Sequence, residues 1–227
     1  GLLPWIASIE VPQLEGFGDD LPEIEDLTWS GRFLDRRLLS GSGRPVWDSV
    51  ARHLQAKLTD AVIEGAVKLL PEAMFALEGE GLIRALKIRR GALPDAAREF
   101  YELLAEYPDI RLSDKREYVE VTYLDGGRVD VSVFKRDKAE GGKKGEPRFH
   151  RLFLGDETHE IRFYLQGGDD LVRVSGERSA STAIVIVGGK GDDEIIDEST
   201  GGGLANAPPF SLFSRPAVSI YDEDPDT

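Results

Sequence analysis

The stretch EYVEVTYLDGGRVDVSVF, Glu117 to Phe134, decides how the second half of the chain is read. Val119, Val121 and Tyr123 alternate with polar residues, Asp125-Gly126-Gly127 supplies a turn, and Val129, Val131 and Val133 alternate on the way back. Successive side chains of a strand point to opposite faces, so this pattern predicts a hairpin with one face buried. Upstream of Ser113 the apolar residues recur at three and four positions instead of two. The change of period there separates a helical region from a β-rich one.

Helical signals begin after Ser40-Gly41-Ser42-Gly43, with Pro45 in a first-turn position and Val46, Val50, Leu54 and Leu58 recurring every four residues. Thr59 reads as the next N-cap, ahead of Val62, Ile63, Ala66, Val67 and Leu70, and Pro71 closes that segment. A third stretch carries Leu82, Ile83 and Leu86. A fourth opens at Pro94 and carries Phe100, Leu103, Leu104 and Tyr107 before Pro108. Short links between four such helices predict antiparallel packing. Ahead of them, Pro4, Pro12 and Pro22 and the acidic cluster Asp19, Asp20, Glu23, Glu25 and Asp26 predict an extended lead-in that wraps a surface, with Trp5 and Trp29 seeking a partner.

Downstream of the hairpin, a polar loop from Lys138 to Glu146 leads to a second strand pair, Phe149 to Leu154 and Glu160 to Leu165, joined by Gly155-Asp156-Glu157-Thr158. Leu171 to Val174 and the wholly apolar Ala183 to Val187 follow, the latter reading as a buried strand. The expected fold class is therefore α+β: a four-helix region followed by a mainly antiparallel β-sheet or sandwich, ending in a short solenoid-like section. The expected division is an extended lead-in over 1–44, a helical region over 45–112 and a β-rich region over 113–227.

The 227 residues carry a formal charge of -14, with 41% hydrophobic and 31% charged residues. Those fractions suit a chain that buries a core. The acidic balance argues against a general nucleic-acid binder, which needs cations to displace counterions from phosphates. With no cysteine there is no disulfide framework, thiolate zinc site or cysteine nucleophile. No apolar run approaches the roughly 20 residues that span a bilayer, and Gly1 to Ile6 lack the basic segment of a signal peptide. The opening Gly1 and the acidic close from Tyr221 to Thr227 read as cuts from a longer chain.

The strongest local motif is Gly188-Gly189-Lys190-Gly191-Asp192-Asp193-Glu194-Ile195-Ile196, which satisfies the glycine-rich nonapeptide of calcium-binding parallel β-helices. There, glycines free backbone carbonyls in a tight turn and the aspartate supplies a hard oxygen ligand, but each ion sits between turns of adjacent repeats. The second candidate turn, Gly167-Gly168-Asp169-Asp170-Leu171, is shorter and falls outside the strict nonapeptide period. Gly188, Gly189, Gly191, Asp193, Asp169 and Asp170 are thus candidate calcium ligands, set against the plainer reading of Gly-Asp turns and no cofactor.

His53, His150 and His159 show no metal-ligand spacing, and nucleophile elbows, Walker loops and dinucleotide fingerprints are all missing from the sequence. Basic residues cluster at Arg32, Arg36 and Arg37 and at Arg84, Lys87, Arg89 and Arg90. In so acidic a chain they are expected to pair with internal carboxylates, the alternative being a docking site for an acidic partner or a lipid head group.

Ser30 to Ser40 (SGRFLDRRLLS), Leu58 to Val67 (LTDAVIEGAV), Arg89 to Leu104 (RRGALPDAAREFYELL) and Glu160 to Asp197 resemble segments of large bacterial cell-envelope proteins. In that family the region lies ahead of an outer-membrane β-barrel, and some members carry a calcineurin-like metallophosphoesterase module before it. The resemblance implies a periplasmic or envelope location, with a cytoplasmic one as alternative, and partners that are other domains of the same polypeptide or an envelope protein. No metallophosphoesterase ligand motif stands in this sequence, so it carries over no catalytic residue. The expected role is a non-catalytic scaffold or interaction module. The alternatives are a calcium-stabilised adhesin-like β module and an accessory part of a hydrolase whose catalytic domain lies elsewhere.

Overall fold

The computed structural model describes residues 17–18, 21–178, 182–201 and 218–221. Trp5 lies outside them. The chain divides into two compact units, Gly1–Leu34 with Arg44–Leu103, and Asp35–Gly43 with Leu104–Thr227.

Helices α1 (Ile24–Thr28) and α2 (Arg32–Leu39) fall inside the stretch expected to be extended. Glu25 and Asp26 occupy the first turn of α1, where the positive end of the backbone dipole favours carboxylates, so these two acidic residues assist a helix start instead of spoiling it. Helices α3 (Arg44–Lys57) and α4 (Asp60–Val67) follow, and the Thr59 hydroxyl caps α4 by accepting from the Val62 N–H at 3.3 Å. Val46, Val50 and Leu54 of α3, with Leu58 just past its end, stay solvent-exposed. Trp47 instead meets Phe100 and Tyr101 edge-on, with ring centroids 5.4 and 6.3 Å away.

A short helix, α5 (Glu72–Met74), runs through a π-helical turn (Phe75–Gly79) into the long α6 (Glu80–Ala105). The third and fourth helices of the sequence reading are therefore one helix with Pro94 inside it. Proline removes the donor that would serve the carbonyl of Arg90. The side-chain amide of Gln55, on α3, donates to the carbonyl oxygens of Arg90 and Gly91, each at 3.1 Å. The acceptor that Pro94 frees, the Arg90 carbonyl, is thus satisfied from outside the helix, which lets it continue.

The strands are β1 (Asp109–Arg111), β2 (Glu117–Leu124), β3 (Arg128–Arg136), β4 (Lys143–Leu154), β5 (Glu160–Gly167), β6 (Leu171–Gly176), β7 (Ala183–Lys190), β8 (Glu194–Asp197) and β9 (Val218–Tyr221). They form one sheet of order β1-β5-β7-β9, parallel throughout, and one of order β4-β3-β2-β6-β8. In the second sheet β2-β3 and β3-β4 are antiparallel while β2-β6 and β6-β8 are parallel. The architecture is α/β, with one parallel and one mixed sheet. This overturns the expected four-helix region followed by a mainly antiparallel sheet or sandwich.

The correction has a local cause. Phe149 to Leu154 and Glu160 to Leu165, read as a hairpin, lie in different sheets: the turn after Leu154 carries the chain across instead of back. Its Thr158 hydroxyl donates to the Ala105 carbonyl at 2.9 Å, and the Thr182 hydroxyl repeats the contact on the Thr158 carbonyl at 2.8 Å. Each later rung is thus a strand in one sheet, a corner and a strand in the other, and like strands of successive rungs lie side by side. Between the sheets, Ile161, Phe163, Leu165, Ile184 and Ile186 face Val119, Val121, Val129, Val131, Val172 and Val174, all fully buried. Burying each such side chain contributes about 1.5–3 kcal/mol, so this shared core is the main stabilisation of the rungs.

Candidate functional site

Three corners stack where the chain crosses between sheets: residues 112–116 between β1 and β2, 168–170 between β5 and β6, and 191–193 between β7 and β8. Backbone bonds join the last two, Gly168 N–H to the Lys190 carbonyl at 2.8 Å and Glu194 N–H to the Asp170 carbonyl at 2.9 Å. Gly168 and Gly191 have φ of 118° and 128°, and a Cβ on Gly191 would lie 1.9 Å from the Gly168 oxygen. Only glycine fits that corner. Gly188 and Gly189 close strand β7, and Gly189 passes so near the Gln166 carbonyl that a Cβ there would also collide.

The sequence reading placed the 167–171 turn outside the strict nonapeptide period, and the two turns nonetheless stack. Asp170 and Asp193 are 23 residues apart and occupy equivalent places in successive rungs. Rung length, not the nonapeptide period, sets the stacking.

The carboxylates so gathered have partners within the stack. Asp170 Oδ1 accepts from the Glu117 N–H at 2.7 Å, and Asp193 Oδ1 accepts from the Asp170 N–H at 3.0 Å. Asp169 accepts from the Asp192 N–H at 3.3 Å and forms an ion pair with Arg116. Glu117, itself buried, accepts from Ser113 Oγ at 2.5 Å and from Arg148 at 3.2 Å. Asp170 is fully buried and its Oδ2 has no hydrogen-bond partner. Burial pushes its pKa up to about 7 against the Glu117 N–H, which holds it down. Among the described residues, no three His, Cys, Asp or Glu side chains converge as a metal cluster would require.

Beside these corners lies a feature the sequence reading missed, an open cleft of about 600 Å³. Its walls come from the first two corners, the end of β3 and the start of β4. Four of its cations are committed. Arg116 pairs with Asp169, Lys144 with Asp137 at 2.8 Å, and Arg148 with Glu117 at 3.2 Å. Arg136 reaches Glu194 at 2.9 Å and donates to the Asp169 and Asp170 carbonyls at 3.1 Å, tying the hairpin to the second corner. Lys115, Lys135 and Lys138 are exposed, and their side chains make no ion pair among the described residues. The signal was legible in KRDKAEGGKKGEPR, Lys135 to Arg148, a basic-rich stretch that reads at first as an ordinary polar loop.

The other candidates disperse. His53 lies on α3; His150, on β4, meets Asp130 at 2.8 Å, and His159, just ahead of β5, meets Glu106 at 3.3 Å. Lys87 pairs with Asp60 and Glu64, and Arg90 with Asp60, while Arg32 stacks over Trp29 and Phe33. Comparisons with protein families, with curated proteins and with solved structures return no match.

Proposed function

We propose that this chain is a non-catalytic scaffold or interaction module of a larger bacterial envelope protein. One observation carries the reading. Asp169, Asp170, Asp193 and Glu117, the acidic groups brought together at the corners, serve as rung-to-rung acceptors or as partners of arginine. A general acid or base needs a group free to give or take a proton within reach of a substrate, and bonds of this kind tie such groups into the fold instead. The resemblance of Ser30 to Ser40 and Glu160 to Asp197 to envelope-protein segments supports a periplasmic placement.

Calcium stabilisation, the second reading, draws support from the stacking of Gly168 on Gly191 and from the unpartnered Asp170 oxygen. The charge of the surroundings weighs against it, because Arg116 pairs with Asp169 and Arg136 donates to the Asp169 and Asp170 carbonyls, and cations so placed repel a divalent cation. The test is to assay the purified chain against aryl phosphates and aryl esters across divalent metals. No turnover is expected. Turnover that disappears in a folded Asp170→Asn variant would overturn the reading.

A further inference from the structure

We propose that the cleft formed by Lys115, Lys135 and Lys138 is a binding site for a phosphate-type multivalent anion of about pyrophosphate size. The first ground is charge. In a chain of net charge -14, this cleft gathers cations from three separate segments, which random placement on an acidic surface does not favour. Once the ion pairs of Arg116, Arg136, Lys144 and Arg148 are closed, three exposed lysines face Asp114, the lining carboxylate that makes no ion pair among the described residues. The excess suits a ligand with at least two negative charges.

The second ground is the type of cation. The arginines, whose planar fork recognises carboxylates and phosphates bidentately, are occupied within the fold, and the groups left to meet a ligand are lysine ammoniums. An ammonium is a compact point charge with three rotatable donors, so several together bind a multivalent phosphate-type anion by charge without a fixed fork geometry.

The third ground is support. Arg136 and Arg148 fasten β3 and β4 to the buried acceptors of the stacked corners, so the lysines stand on bonded backbone. A cleft of about 600 Å³ is within the usual range for small-molecule sites and has room for two phosphoryl groups and part of what bears them. A soluble phosphorylated compound and a phosphorylated lipid head group share this chemistry.

The probe is inorganic pyrophosphate, titrated calorimetrically into the whole chain at low salt. Saturable one-to-one binding is expected, weakened about tenfold or more in the double variant Lys135→Ala/Lys138→Ala and unchanged in Lys57→Ala, with a shallower salt dependence in the double variant. All three residues are exposed, so the variants keep the fold, which a melt verifies. A parallel arm uses phosphatidylcholine vesicles with and without phosphatidic acid. Vesicle binding that pyrophosphate displaces assigns the anion to a lipid head group, and pyrophosphate binding without vesicle binding assigns it to a soluble compound. Absence of saturable pyrophosphate binding up to millimolar concentration, or binding that the lysine substitutions leave intact, overturns the proposal.

Discussion

Asp193 Oδ1 accepts a hydrogen bond at 3.0 Å from the backbone N–H of Asp170, its counterpart one rung earlier. Asp170 Oδ1 does the same for the N–H of Glu117 at 2.7 Å, so each carboxylate receives the amide at the strand start of the preceding rung. Each bond gives a backbone N–H at a corner an acceptor from the next rung. They hold the corners in register while the valines and isoleucines fill the space between the sheets.

The position of Asp170 makes stability depend on pH. Its pKa rises from 3.8 to about 7 on folding because it is buried, so folding takes up a proton across that window. The stabilisation is fully present below the unfolded value and is lost as pH rises through about 7, at no more than about 1.4 kcal/mol per pH unit. Denaturant midpoints of the wild type should fall from about pH 5 to about pH 8, and those of Asp170→Asn should fall less. Equal slopes in the two proteins would remove Asp170 as the source.

Two glycine substitutions should separate strain from collision. Gly126 has φ of 73° with open space around it, so Gly126→Ala should cost about 1 kcal/mol from backbone strain alone. Gly191→Ala adds a Cβ 1.9 Å from the Gly168 carbonyl and should cost more than about 2 kcal/mol. Urea unfolding of both variants measures the difference, and similar losses would mean that the corner relaxes freely.

Gln55 and Pro94 should be energetically coupled. Gln55→Ala leaves the carbonyls of Arg90 and Gly91 without their side-chain donor and should cost about 1 kcal/mol. With Pro94→Ala, the restored N–H can serve Arg90, and the same Gln55 change should cost clearly less. A double-mutant cycle reads the coupling; additive losses would show that Gln55 does not compensate for the proline.

Calcium should leave the melting temperature unchanged, since the corner carboxylates bond to amides and arginine in a basic surround. Asp193→Ala leaves the Asp170 N–H without its acceptor and should cost about 1–3 kcal/mol. A calcium-dependent rise in melting temperature that vanishes in Asp193→Ala would promote the calcium reading.

Alternation of apolar and polar residues reports which face of a strand is buried. Val119, Val121, Tyr123, Val129, Val131 and Val133 were therefore legible as core, and Asp125-Gly126-Gly127 as the turn between two antiparallel strands. Thr59 was equally legible as a cap, because its partner, the Val62 N–H, lies within one turn. These features are local, and the sequence by itself determined them. Strand partners are not local, since period 2 is common to parallel and antiparallel pairing, and the choice depends on where the chain goes after each strand. Only the tertiary structure set β5 beside β7 instead of β4, stacked Gly168 on Gly191 across a 23-residue rung, and placed Lys115 beside Lys135 and Lys138. It also decided that α6 passes through Pro94, because the donor that makes this tolerable belongs to Gln55, 35 residues before Arg90 in the chain.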